Sequence, residues 1–76
     1  MNWRNSGFSR HYIKVKIEGS SLENLLNRCM KNGVKLQNIR YRSDTEVVLK
    51  VESTSLEALT QLVGHRYEMK ILREGG

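Results

Sequence analysis

The sequence has one cysteine, no proline and few aromatic side chains. Because Cys29 is the single cysteine, the chain cannot form an intrachain disulfide. A zinc site needs about four ligands, and Cys29, His11 and His65 are too few and lack the spacing of such a site. No apolar run approaches the ~20 residues of a bilayer-spanning helix, and residues 1–11 lack the apolar core of a secretion signal. We therefore expect a soluble, cytosolic domain without disulfides, metal or cofactor.

The charge balance is basic, with thirteen Lys and Arg against eight Asp and Glu and a net charge of +5. This sign suits an anionic partner such as nucleic acid, a membrane surface or an acidic protein, although a charge of this size is also ordinary for the surface of a small soluble domain. The 76 residues, 38% apolar, fit one folded domain with little volume for an internal active site.

Two hydrophobic periods alternate along the chain. Alternating apolar and polar residues predict half-buried strands, and apolar residues at helical spacing predict amphipathic helices between them. In the second strand the alternation changes parity near Gln37 and Asn38, which predicts a β-bulge there. The predicted strands are Tyr12–Glu18, 34–42, 45–52 and 67–73.

Each predicted helix begins at a capping-box pattern, at residues 20–23 and 54–57. In such a box the first side chain, Ser20 or Thr54, accepts a backbone hydrogen bond and the glutamate reaches back to the cap. Gly33 and Gly64 are predicted to end the helices in the left-handed conformation. The predicted buried stripes are Leu22, Leu25, Leu26, Cys29 and Met30 in the first helix, and Leu56, Leu59, Leu62 and Val63 in the second.

The two strand–helix segments are copies of each other. The run that starts at Val15 (VKIEGSSLE) aligns with the run that starts at Leu49 (LKVESTSLE). Two such units predict an α+β, ferredoxin-like βαββαβ sandwich, with a four-stranded antiparallel sheet in the order 4-1-3-2 and both helices on one face. We assign residues 12–74 to this domain, 1–11 to a flexible N-terminal arm and 75–76 to a C-terminal tail.

The sheet face without helices is the predicted binding surface. Its outward positions carry lysines mixed with glutamates, and the second strand adds a basic strip that serves either edge protection or docking. The candidate partner-binding residues are Lys14, Lys16, Lys50, Lys70, Arg40 and Arg42.

No residue pattern points to catalysis. Cys29 lies on the apolar stripe, so we interpret it as a core thiol rather than a nucleophile. Only Tyr12 is aromatic among the outward positions of the two central strands, which argues against an RNA-recognition module that stacks bases on its sheet. Binding of a nucleic-acid backbone by the lysines remains an alternative. We expect no enzyme and no small-molecule substrate.

Several short segments carry a family resemblance: residues 12–19, 25–29, 32–36 and 38–40. In order and spacing they resemble the N-terminal domain of the YqfD family, the stage IV sporulation proteins of spore-forming bacteria. The resemblance spans about residues 12–74. The sequence departs from the pattern expected of the family at Gln37, where an aromatic residue is expected.

The resemblance implies a larger parent protein in which a membrane-spanning segment follows this domain, so that the chain is an excised part on the cytoplasmic side. It supplies no catalytic residues. Our hypothesis is a non-catalytic interaction or sensing domain that docks a protein partner, or a second copy of itself, through the open sheet face or an edge strand; an anionic membrane surface is a further candidate contact. The alternatives are a nucleic-acid-binding module and a small-ligand regulatory domain that acts as a dimer.

Overall fold

Four strands and two helices follow one another in the predicted order in a computed structural model, which describes residues 11–74. β1 has its predicted bounds, and the other strands begin one or two residues later than predicted. The predicted arm and tail lie outside the described residues, apart from His11. The elements are β1 (Tyr12–Glu18), α1 (Leu22–Lys31), β2 (Leu36–Ser43), β3 (Glu46–Glu52), a 3₁₀ turn (Ser53–Ser55), α2 (Leu56–Val63) and β4 (Glu68–Glu74).

The strands form one antiparallel sheet in the order β2-β3-β1-β4. This is the predicted order 4-1-3-2 counted from the other edge, and the ferredoxin-like sandwich is confirmed. The core lies between the inward side chains of the sheet and the two helices. Because side chains alternate along a strand, the remaining residues of each strand face the side of the sheet without helices. The most deeply buried side chains are Ile17, Leu22, Leu25, Leu49, Leu59, Val15, Val47, Val51 and Cys29.

The helix stripes are confirmed except at one position. Helix α1 buries four of its five predicted stripe residues, but Met30 is 72% exposed. Successive helical residues are about 100° apart, so Met30 lies at the margin of the stripe, in the last turn of α1. In α2, Leu59 and Val63 are buried, and Leu56 and Leu62 are partly buried against the core.

The predicted capping boxes are wrong. The residue that caps α1 is Ser21 rather than Ser20, it has left-handed angles (φ 59, ψ 45), and it makes no side-chain capping hydrogen bond. A serine hydroxyl reaches the first turn of a helix from β-region angles, which Ser21 does not have. At α2 the 3₁₀ turn moves the cap to Ser55, again without a side-chain bond, and the Thr54 hydroxyl donates to the Glu52 carboxylate instead, at 3.0 Å.

The loop between β1 and α1 is held by Tyr67, the residue before β4. A Cβ atom at Gly19 would lie 2.5 Å from Tyr67 Cδ1, so the ring packs directly on the glycine backbone. The Tyr67 hydroxyl donates to the Ser21 carbonyl at 3.1 Å. On the other side, the Gly19 N–H donates to the Thr45 carbonyl at 2.9 Å. The loop is therefore fixed from both the β2–β3 turn and the start of β4.

The predicted bulge in β2 is confirmed. The register against β3 shifts between Gln37 and Arg40, and Asn38 between them has a φ of 54°. Because of this shift, Gln37 lies opposite Lys50 and Arg40 lies opposite Val48. Both therefore face the helix-free side of the sheet, since directly opposed residues share a face.

Candidate functional site

The outward side chains of the four strands form a continuous surface, which we call the open face. Lys14 on β1 lies directly opposite Lys50 on β3, and Lys16 on β1 lies opposite Lys70 on β4. Residues i and i+2 of a strand are about 7 Å apart, so these lysines form two adjacent lines across the sheet. We call them the basic rows.

The arginines of β2 extend the basic rows toward one edge of the sheet. Arg40, Arg42, Lys14 and Lys50 line one shallow depression of the open face. Lys16 and Lys70 line a neighbouring depression together with Glu18, Glu68 and Met69. The structure thus places all six predicted residues on one face, in two clusters; their role in binding stays a prediction.

A line of carboxylates crosses the open face at one end. Glu18 on β1 lies opposite both Glu46 on β3 and Glu68 on β4, and we call this line the acidic row. Along β1, the Lys16 ammonium lies 3.4 Å from the Glu18 carboxylate. The alternation along each strand predicts glutamates mixed with lysines on this face, and only the cross-strand register shows that the glutamates align.

Across the strands, the charges of the open face are grouped by sign, whereas along β1 Lys16 and Glu18 form an ion pair. Like charges directly opposite each other across antiparallel strands destabilise a sheet, by roughly 0.2–1 kcal/mol a pair, and opposite charges stabilise it by a similar amount. Lys14–Lys50 and Lys16–Lys70 are such unfavourable pairs, and so are the two pairs that Glu18 makes. An interspersed pattern would place opposite charges across the strands and would avoid this cost.

One aromatic side chain lies on the described part of the open face. Tyr12 is half-buried at the end of β1, opposite Glu52. Its hydroxyl accepts a hydrogen bond from the Gln37 side-chain amide at 3.1 Å. Gln37 therefore holds this ring at the margin of the open face, and one ring there does not make a base-stacking platform.

The described residues contain no constellation suited to metal chemistry. Within residues 11–74, no cluster of three His, Cys, Asp or Glu side chains could hold a metal ion. Neither of the helices formed there is long and apolar enough to cross a bilayer. Cys29 is fully buried, which confirms its interpretation as a core thiol.

We expect Cys29 to react with a disulfide reagent only as fast as the chain unfolds. Burial raises the pKa of its thiol above the usual 9.0, against a smaller opposing effect of the Arg28 charge. Above that pH the unfolded chain loses the thiol proton before the folded chain does, so stability falls as pH rises. The urea midpoint should be lower at about pH 10 than at about pH 8, and this difference should be smaller in a Cys29→Ala variant. Labelling of the native chain faster than its unfolding would contradict the burial of Cys29.

A comparison with known protein families gives one assignment. The family model described as Putative stage IV sporulation protein YqfD matches residues 7–76. Among curated proteins, no sequence gives a significant match. The family match spans every strand and helix of the sandwich, including both copies of the repeat and the whole open face. The chain therefore belongs to the YqfD family of sporulation proteins.

Proposed function

We propose that this chain is a non-catalytic interaction domain of a sporulation protein, which docks a partner protein through the open face. The observation that supports this best is the pairing of like charges in the basic rows. Such pairs cost folding stability, and local violations of good charge placement concentrate at functional surfaces. A partner that brings carboxylates to Lys14 and Lys50 reduces their repulsion. This repulsion is present in the free chain and is weaker in the complex, so its reduction favours binding.

The charge pattern also describes the partner. Carboxylates of the partner would face the two basic rows and the depression that Arg40 and Arg42 line. At the end of the face, a lysine or arginine of the partner would face Glu18 and its two neighbours in the acidic row. Matched patches of both signs fix the orientation of a complex and reject wrong partners.

A protein partner fits this surface better than a nucleic acid does. A phosphate backbone laid across the whole face would meet the three carboxylates of the acidic row. Single-stranded binding also gains about 1–3 kcal/mol from each base stacked on an aromatic ring, and the described open face offers only Tyr12, whose hydroxyl already contacts Gln37.

We place the domain on the cytoplasmic side of a membrane-anchored parent protein. The thirteen lysines and arginines are compatible with this placement, because short segments next to a membrane span carry more of these residues on the cytoplasmic side. The basic rows would then face a cytoplasmic protein, and contact with the anionic lipid surface instead is a competing outcome of the crosslinking test below.

Site-specific photo-crosslinking in sporulating cells tests the docking surface. A photoreactive residue replaces Lys70 on the open face or, as the control, Glu57, which is exposed on α2. We expect a discrete protein adduct from position 70 and none from position 57. Equal adducts from both positions, a nuclease-sensitive adduct, or lipid alone at position 70 would contradict the proposal.

Charge reversal at Lys50 is expected to stabilise the fold while it weakens docking. In Lys50→Glu the repulsion from Lys14 becomes an attraction, and the lost repulsion and the new attraction each contribute about 0.2–1 kcal/mol. Urea unfolding at low and high salt measures this gain, which should shrink in salt because the Debye length falls to about 3 Å at 1 M. Lys50→Met, which removes the repulsion without adding attraction, should give a smaller gain. A loss of stability in both variants would show that the repulsion is unimportant.

A further inference from the structure

Within residues 11–74, the outer edge of β2 is unpaired and lies beside exposed apolar side chains, which docking on the open face does not explain. Among the described residues, β2 pairs with β3 alone, so its other edge has no neighbouring strand. An edge strand directs the N–H and C=O groups of alternate residues outward, where another strand can pair with them.

An apolar groove runs along this edge on the helix side of the sheet. It lies between β2 and the C-terminal half of α1, where Leu26, Met30, Val34, Leu36 and Ile39 supply its apolar lining. Gly33 and Lys35 also line it, and Tyr12 and Gln37 border it at the end that reaches the open face. Met30 and Ile39 are 72% and 44% exposed. With Tyr41, at 49%, they are three of the five large apolar side chains exposed in the described part of the chain.

The open-face side of the same edge is cationic. Arg40 lies opposite Val48 on the open face, and Tyr41 lies opposite Val47 on the helix side. The register shifts again after Tyr41, and Arg42 borders both the open-face depression and a cavity beside the start of α1. Arg40 and Arg42 line the depression that also holds Lys14, while Ile39 lines the apolar groove. A strand added beside β2 would therefore meet apolar side chains on one of its faces and arginines on the other.

We propose that this edge binds an extended segment of a partner protein as a fifth strand, in which apolar residues alternate with aspartate or glutamate. The apolar residues enter the groove beside Met30 and Ile39, and the carboxylates face Arg40 and Arg42. Backbone pairing supplies affinity and the alternating side chains supply specificity. This site lies at the sheet edge, and it stands whether or not a partner also covers the centre of the open face.

A second copy of this chain is a poor occupant. A twofold pairing of β2 with itself places the same stretch of strand on both sides of the interface. Arg40 and Arg42 would then meet the arginines of the other copy, and like charges that oppose each other destabilise a pair of strands. Protection of the edge against mispairing would explain the arginines and the bulge at Asn38, but it does not explain the exposed apolar side chains beside them.

The test is a titration of the full ¹⁵N-labelled chain with an eight-residue peptide of alternating valine and glutamate. We expect amide shifts along Leu36–Ser43 and cross-strand contacts between the peptide backbone and β2. Ile39→Ser and Arg40→Glu should each weaken binding about tenfold, which corresponds to 1.4 kcal/mol. Both side chains are exposed, so these variants should remain folded.

Two controls separate this proposal from docking on the open face. Lys70→Glu, on the far edge strand β4, should leave peptide affinity unchanged. A peptide of alternating valine and lysine should bind the Arg40→Glu variant better than it binds the natural chain. The proposal is overturned if the alternating valine and glutamate peptide does not bind, if Ile39→Ser binds it normally, if the shifts centre on Lys14 and Lys16, or if the chain forms β2-paired dimers.

Discussion

Leu25→Ala is expected to lower the free energy of unfolding by about 2–5 kcal/mol. Leu25 is 0% exposed and lies on α1, within the core between helices and sheet. Alanine loses the transfer free energy of the removed carbon atoms and leaves a cavity that the neighbours fill only in part. Native domains have only about 5–15 kcal/mol of stability in total, so this substitution should remove a large share of it.

The matched control is Met30→Ala on the same helix. Helical spacing predicts Met30 on the same stripe as Leu25, but its side chain is 72% exposed, so the expected change in the free energy of unfolding is within about 0.5 kcal/mol. Urea unfolding followed by circular dichroism measures both variants. Equal losses from the two would mean that α1 packs in a different rotation.

Gly19→Ala is expected to destabilise the chain by about 2–4 kcal/mol, through backbone strain and a steric clash together. Gly19 has a φ of 154°, which side-chain-bearing residues rarely adopt, and the new Cβ would lie 2.5 Å from Tyr67 Cδ1. The ring is 8% exposed and its hydroxyl is bonded to the Ser21 carbonyl. It therefore cannot move without losing that bond.

Gly33→Ala is the control, because it carries backbone strain without a clash. Gly33 has a φ of 75° and nothing lies within 4 Å of its Cβ position, so the expected loss is about 1–2 kcal/mol. Tyr67→Ala should cost less in the Gly19→Ala background than in the natural chain, since the clash disappears with the ring. Additive losses in this double-mutant cycle would refute the contact.

The order of elements could be predicted because the apolar pattern that buries a core is local. Val15 and Ile17 alternate with lysines, and both are fully buried. The start of α1 could not be predicted in the same way. The left-handed angles of Ser21 accompany a hydrogen bond from Tyr67, 46 residues further along the chain. A contact at that separation leaves no pattern in residues 20–23, so the local capping signal could not predict it.

The candidate surface was predictable as a list of residues but not as a pattern. Alternation alone selects Lys14, Lys16 and Lys50 as outward-facing. Their grouping into rows depends on the register between strands, and the placement of Arg40 depends on the β2 bulge. The groove beside Ile39 was missed, because the parity change indicated the bulge but not which apolar side chains would stay exposed at the edge.

The most direct test of the docking proposal combines two measurements on the Lys50→Glu variant. If the like-charged pairs of the basic rows serve binding and lower the stability of the fold, the variant should unfold at a higher urea concentration than the natural chain at low salt. The adduct from a photoreactive residue at position 70 should at the same time weaken in sporulating cells. A variant that is more stable and still crosslinks fully, or one that is less stable, would contradict the proposal.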